Sequence, residues 1–353
     1  MVDSNPSGTV FCFASGTYVL NHYITLKDSD QFICPVRRAC VLTGLDQYRG
    51  AFTAQWGTAH HVIRGFVAEH FVAVSGQWPN AALQLRANGL IDDNEVRYNR
   101  VGISVDSNQT ISNNFVHHNG QYGITGGPLS NLIIENNELS FNNALKLDPN
   151  NDAGGSKIFG STPGSYFITW RGNYVHDNNG QGIWSDGNVH NVLYENNRVE
   201  NNTGVGIDHE ISWDATIRGN TLRNNSSALL NLGKSCWWGA QIMLNNSQNV
   251  TITDNTVEAV GTNGICVKSM TRNETSAFPQ VLGNVSVQGN VVKLSGDVYT
   301  GMVAESLPSN VTFTGNTYYM KVPSNRSFVY MDESTWQSWQ AAGQDTGGQL
   351  IQW

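Results

Sequence analysis

The chain has 353 residues, only 14% of them charged, and a formal net charge of −8. Sparse charge with abundant Gly and Asn argues against a helix-rich fold and for strands and tight turns. The acidic balance argues against nucleic acid or an anionic membrane surface as a partner, no apolar run is long enough to span a bilayer, and an acidic groove would also repel a densely anionic polymer unless a cation intervenes.

The sequence opens MVDSNPSGTV, with no apolar signal region; a secreted protein whose signal peptide is absent from this sequence is the expectation. Residues 1–50 read as an N-terminal opening coil or cap, with GTVFCFASGTYVL alternating like a strand and DSDQFICPV supplying a second. The cysteines are Cys12, Cys34, Cys40, Cys236 and Cys266. Only Cys34 and Cys40 are close in sequence, which leaves a small disulfide loop and separate thiols equally open. The odd count leaves at least one free thiol or an intermolecular bridge. No CxxC or Cys/His metal spacing occurs.

Coils are expected over residues 51–320. From Ile91 a pattern repeats: Ile91 to Val96, Ile111 to Val116, Ile134 to Leu139, Trp170 to Val175, Tyr194 to Val199, Ile217 to Leu222, Ile252 to Val257, Val287 to Val292 and Phe313 to Tyr318. Each copy places an Asn two residues before an apolar residue. Most copies lie about 20–25 residues apart, too short for a helix pair and right for one coil of a parallel β-helix. Asn114, Asn137, Asn173, Asn197 and Asn220 are expected to form one internal turn column, because Asn tolerates tight corners and its amide can bond along a stack. That explains the N-x-S/T matches better than glycosylation does. The longer intervals, Glu138 to Arg171, Arg223 to Asp254 and Glu258 to Gly289, read as loop insertions on one flank. The C-terminal 321–353, with Trp336 and Trp339, suits a cap over an otherwise bare sheet edge.

The I-x-x-N-x-V…N-x-G-I repeat, over roughly residues 90–320, resembles that of the pectate-lyase-like right-handed parallel β-helix superfamily. GTYVL resembles the opening coil of its secreted members, and TWQSWQAAGQD their closing segment. The resemblance implies an all-β, single-stranded solenoid with loop insertions and a C-terminal cap. It specifies the fold rather than the reaction, since members include polysaccharide lyases, glycoside hydrolases, uronan epimerases and non-catalytic adhesins.

Aligning the Gly-Ile strands, with Ile inward and alternate residues outward, gives two outward columns. The first runs Ser104, Thr125, Phe159, Trp184, Asp208, Met243, Cys266, Val303. The second runs Asp106, Gly127, Ser161, Asp186, Glu210, Asn245, Lys268, Glu305. Asp186 and Glu210 then sit on adjacent coils about 4.8 Å apart, with Asp208 beside Trp184. Clustered carboxylates raise the pKa of at least one member, and a raised and an unraised carboxyl are what a general acid and its partner require. The alternative is an ordinary solvated acidic face. His209 is expected inward as a core histidine, with catalysis as the alternative if the register slips by one. Lys157 is placed at the lip of the face. Trp184, Trp237, Trp238, Asn188, Asn245 and Lys268 are candidate substrate contacts, with one of the adjacent tryptophans stacking on sugar and the other buried. The loop from Leu147 to Asp152 has oxygen ligands but lacks the Gly and terminal Glu of a calcium loop and reads as a plain turn.

These residues point to one polysaccharide-acting domain. Glycoside hydrolysis by Asp186, Asp208 and Glu210, with no cofactor, is preferred. The first rival is a lyase or epimerase in which these carboxylates hold Ca²⁺ and Lys157 or Lys268 takes the C5 proton. The second is a glycan-binding adhesin or structural shaft.

Overall fold

The computed structural model describes residues 2–73, 81–229, 236–272, 278–296, 298–305, 308–320 and 327–353. The chain winds through three sheets in turn, of 12, 13 and 13 strands. Each strand pairs in parallel with its equivalents one coil before and after; Asp332–Ser334, antiparallel to Phe328–Tyr330, departs from this rule. This is a parallel β-helix. Its coils begin within the opening segment, where Val10–Cys12 pairs with Gln31–Ile33 in the first sheet and Gly16–Val19 with Cys40–Thr43 in the second. Among the described residues no helix is long and apolar enough to cross a membrane.

Alternation turns one side of every strand inward. Ile103, Ile124, Ile158, Ile183, Ile207 and Ile242 from the third sheet meet Val and Ile from the other two in one continuous core. Buried Asn ladders run beside this core. In the first, Oδ1 of Asn197 accepts from the backbone N–H of Asn173 at 3.0 Å and from its Nδ2 at 2.9 Å. Asn197 Nδ2 in turn donates to the carbonyl of Trp170 and to Asn220 Oδ1, both at 2.9 Å. The same exchange joins Asn94, Asn114, Asn137 and Asn173, and then Asn220, Asn255, Asn290 and Asn316, so the expected column is one internal stack.

A second ladder, at the turn into the third sheet, was not legible as such. It joins Asn99, Asn119, Asn142, Asn178, Asn202 and Asn225 and passes to Gln241. It explains the Gly of the Gly-Ile pair. A Cβ on Gly182 would lie 2.7 Å from the carbonyl oxygen of Gly206 and 3.0 Å from Asn202 Nδ2. Glycine lets the ladder and the next coil approach that closely.

The C-terminus closes the stack as expected. Helix Trp336–Ala341 lays the fully buried Trp339 edge-on against Phe313 at 4.9 Å. Asp345 ends the first ladder, accepting from Asn316 Nδ2, the Tyr318 hydroxyl and Trp339 Nε1. Gln349–Gln352 pairs with Thr317–Met320 and covers the last edge of the second sheet. Disulfides join Cys34 to Cys40 and Cys236 to Cys266; Cys12 is free. The second bridge, 30 residues apart in sequence, carried no signal in spacing. Two disulfides fit folding in an oxidising compartment.

Asn197→Ala leaves the buried Asn173 N–H without its acceptor and takes one partner each from Asn173 Nδ2, the Trp170 carbonyl and Asn220 Oδ1, while Asn173 Nδ2 keeps the Ile134 carbonyl and Asn220 Oδ1 the Asn197 N–H. An orphaned buried group costs about 1–3 kcal/mol, and a loss in that range is expected. Urea unfolding monitored by circular dichroism measures it, with Asn196→Gly, at an exposed turn position of φ 55°, as a near-neutral control.

Candidate active site

The long insertions border the third sheet on both edges. Residues 141–153 and 224–239 lead into it, and residues 160–164 and 270–282 lead out of it. The expectation of a single flank is therefore corrected: the insertions wall a groove whose floor is the outer face of the third sheet. Parts of two insertions, 230–235 within SALLNLGKSCWWGA and 273–277, lie outside the described residues.

The register of Ile183–Asp186 on Ile207–Glu210 pairs Trp184 with Asp208 and Asp186 with Glu210. Continuing, Asp208 pairs with Met243, Glu210 with Asn245, and Asn245 with Lys268. These expected columns hold. Two outer portions shift by two residues. Thr125 pairs with Lys157 and Asp186 with Phe159, so Phe159 belongs to the second column and Ser161 lies beyond both. Cys266 pairs with Gly301 and Lys268 with Val303, which removes Glu305 from the face. The cause is that neither strand opens on Gly-Ile. Ser156 fills the Ile position beside Ile124, and Thr300 does so beside Ile265, donating its hydroxyl to the Ile265 carbonyl.

The corrected register brings Lys157 fully into the site. Its Nζ lies 2.7 Å from Asp186 Oδ2, 3.0 Å from the Asn151 carbonyl and 3.6 Å from the centre of the Trp184 ring. Glu210 is held by Arg272 and by Asn245 Nδ2, which donates to it at 2.7 Å. Asp208 lies between these pairs, 5% exposed, and its Oδ1 has no hydrogen-bond partner. Burial, reinforced by the charges of Glu210 and Asp186, holds the Asp208 carboxyl well above the usual range. Burial and Asp186 also raise Glu210, against the opposing pull of Arg272. Lys268 is fully buried with its Nζ 3.1 Å from the centre of the Trp238 ring; desolvation lowers it to about 8, against the pull of Asp208 and Glu210.

A cavity of about 470 Å³ opens over this floor, lined by Asn150, Gln181, Trp184, Asp208, Glu210 and Trp238. The adjacent tryptophans divide as expected. Trp237 is partly buried against the cluster that contains Val205, Met243, Cys236 and Cys266, while Trp238 is 46% exposed and lines the cavity. The bridge ties this insertion to the strand carrying Lys268.

Three candidate roles are corrected. His209 faces the core, where its Nδ1 meets the Tyr194 hydroxyl at 3.1 Å and burial lowers its pKa to about 3; inward alternation takes it out of the groove. Asn188 occupies a left-handed turn with φ 65°, its amide bound to the Ser161 carbonyl and His190, so it shapes a corner and lines neither cavity of this face. Asn245 supports Glu210 rather than facing the cavity. Sequence reasoning missed Arg272, Gln181 and Asn150. All three lie in or beside turns, outside the strand pattern that gave the columns. The loop from Leu147 to Asp152 is a turn, with Asp148 accepting from the Asn150 amide and Asp152 from Gln121.

A calcium ion held by Asp186, Asp208 and Glu210 does not fit this arrangement. Asp186 and Glu210 are each engaged by a basic side chain, and among the described residues no three His, Cys, Asp or Glu side chains converge as a ligand set.

The right-handed β-helix region family matches residues 75–236 and 159–334, and the chain belongs to it. No curated protein matches the sequence. Solved structures share the fold at low identity. The catalytic unit of a GH87 α-1,3-glucanase from Streptomyces thermodiastaticus is 14% identical with TM-score 0.66, over 98% of this chain and 62% of that one. A PL6 family polysaccharide lyase from Pseudopedobacter saltans is 12% identical with TM-score 0.65, over 98% and 88%. The A-module of the Azotobacter vinelandii mannuronan C-5 epimerase AlgE4 is 15% identical with TM-score 0.57, over 86% and 87%.

The raised Asp208 carboxyl makes a stability prediction. Between the unfolded carboxyl's pKa and its own, the folded state holds the extra proton, so stability falls as pH rises through that window. Asp208→Asn carries no such penalty. It is expected to melt above the parent at pH near 7, with the difference vanishing below about pH 4. Differential scanning calorimetry across pH reads both limbs.

Proposed function

We propose that this protein is a secreted glycoside hydrolase acting on a polysaccharide, with Asp208 as general acid and Asp186 as its carboxylate partner. The observation that carries the reading is the buried Asp208 carboxyl, unpaired at Oδ1 and facing a tryptophan-lined cavity between two other carboxylates. A carboxyl kept protonated can deliver its proton to a glycosidic oxygen. Glu210, braced by Arg272 and Asn245, adds to burial the negative potential that raises the Asp208 carboxyl. Trp238, 46% exposed, offers an aromatic plane to a sugar ring, while Trp184, 3% exposed beneath Lys157, contributes its edge to the cavity wall.

Asp186 lies one coil away from Asp208 and two residues along the strand. That diagonal corresponds to about 7–8 Å, within the separation of about 6.5–9.5 Å that admits a water for inverting hydrolysis. The solved structures of the same fold include a glucanase, a lyase and an epimerase, which supports a polysaccharide as the substrate. The disulfides support secretion.

Lys268 favours a second reading, lyase chemistry. A buried amine lowered to about 8, beside Asp208 and Glu210, has the properties of a proton-abstracting base. The two readings separate by product. Incubation with α-1,3-glucan, xylan and mannuronan should give new reducing ends without ultraviolet absorbance, and the first-formed anomer, read by NMR, should be inverted. Absorbing, unsaturated products would replace hydrolysis with elimination. EDTA is expected to leave turnover intact.

Asp208→Asn and Asp186→Asn should each lower kcat by about 10²–10⁴ while the fold persists, since neither lies in the core. Turnover near that of the parent in both variants would remove the catalytic assignment and leave a glycan-binding role.

A further inference from the structure

The groove continues beyond the acid. A second cavity, of about 490 Å³, lies on the N-terminal side of the Lys157–Asp186 pair, lined among others by Tyr122, Thr125, Asn151, Asp152, Phe159 and Gly160. Lys157 and Asp186 also border it, while the Asp208 cavity lies on their far side. The pair therefore marks a boundary between two chambers of one groove, with Lys157 reaching from the floor to the Asn151 carbonyl in the wall.

Two side chains in this second cavity have polar atoms that the protein leaves open. Thr125 Oγ1 has no hydrogen-bond partner, and the Tyr122 hydroxyl faces the Asp152 carboxylate without reaching a hydrogen bond of normal geometry, although both residues are only 1% exposed. Each such group costs stability unless a bound molecule completes it. They come from one strand, Tyr122–Gly126, three residues apart, and Phe159 adds a partly exposed aromatic plane beside Asp186. Hydroxyl partners and an aromatic face together are the chemistry that recognises a sugar ring.

The charge of the cavity selects among sugars. The one cation among its described lining residues, Lys157, is already engaged by Asp186, the Asn151 carbonyl and the Trp184 ring. Asp152 and Asp186 border the space, and a uronate carboxylate there would meet two like charges and no unengaged partner.

We propose that this cavity is a remote subsite for a neutral sugar unit of the chain whose bond is cut at Asp208, an inference that rests on the polysaccharide reading above. Thr125 and Asp208 share one outward column, three coils apart through Lys157 and Trp184. That is about 14 Å, a few sugar units. A glycan filling both chambers lies along the solenoid axis across the acid, so cleavage falls inside the chain rather than at its end.

The test is binding against chain length. Calorimetry is run with disaccharides through hexasaccharides of α-1,3-glucose, xylose and mannuronate, in the Asp208→Asn background so that no probe is cut. Tyr122→Phe/Thr125→Val removes both unpaired atoms at constant shape, and Phe159→Ala, made separately, removes the plane. A neutral series should gain about tenfold or more in affinity from trisaccharide to hexasaccharide. Both variants should lose that gain, and the Tyr122→Phe/Thr125→Val protein should melt no lower than its parent, because it loses only unsatisfied groups. An equal gain in parent and both variants would overturn the subsite while leaving the hydrolase reading standing. A gain confined to mannuronate would overturn its neutral character. Absence of binding by every series would remove the subsite together with the polysaccharide reading.

Discussion

A buried amide in water-excluded surroundings must find partners for two donors and an acceptor, and in this protein those partners come from the coils before and after. Each ladder Asn accepts from the backbone and side chain of one coil and donates to the next, so the turns of neighbouring coils are locked at one rise and one register. A slip of one residue would empty several hydrogen bonds at every coil and turn each Ile or Val of the affected strands outward. The core alone, a stack of similar Val and Ile side chains, discriminates poorly between registers. The ladders discriminate strongly, and the outward columns inherit their accuracy.

The site follows from that register combined with asymmetry between the faces. On the outer faces of the first and second sheets, charges are matched: Arg64 with Asp92, Arg171 and Arg218 with Glu195, Arg198 with Glu200. On the third sheet Lys157 pairs with Asp186 and Arg272 with Glu210, but Asp208 and Lys268 have no such partner. Tyr122, Thr125, Gln181, Trp184, Asp208, Asn245 and Lys268 all carry a buried polar atom without a partner, seven of the thirteen such atoms among the described residues. Insertions on both edges remove this face from bulk water without satisfying it. The Cys236–Cys266 bridge fixes Trp238 over Lys268, which excludes water from the amine and lowers its pKa.

How far the sequence could be read depended on whether a feature was periodic. The solenoid and the first Asn ladder were legible because each repeats, the Trp184, Asp186, Asp208, Glu210 patch because its residues occupy fixed places in the repeating coil, and the Trp339 cap because an apolar segment follows the last repeat. The strands at 154–159 and 300–304 were misaligned by two because Ser156 and Thr300 stand where the pattern expects Ile; a polar residue that satisfies itself internally, as Thr300 does on the Ile265 carbonyl, is invisible to an apolar pattern. Arg272 and Gln181 escaped because they sit in or beside turns, where spacing carries no phase. His209 was legible as inward from alternation alone, and its contact with Tyr194 agrees.

The matched and unmatched faces are two consequences of one energy balance. Unsatisfied buried atoms destabilise a fold, and a carboxyl and an amine held from their normal ionisation add to that penalty. A solenoid tolerates such a face because its stability is a sum over many coils, each contributing ladder bonds and core contacts that do not involve the groove. Coils 91–223 carry both complete ladders, and it is on these that the carboxylates and the second cavity lie. The scaffold is most redundant where the face is most frustrated, and that redundancy offsets the cost of a buried Asp208 carboxyl whose Oδ1 the protein leaves without a partner.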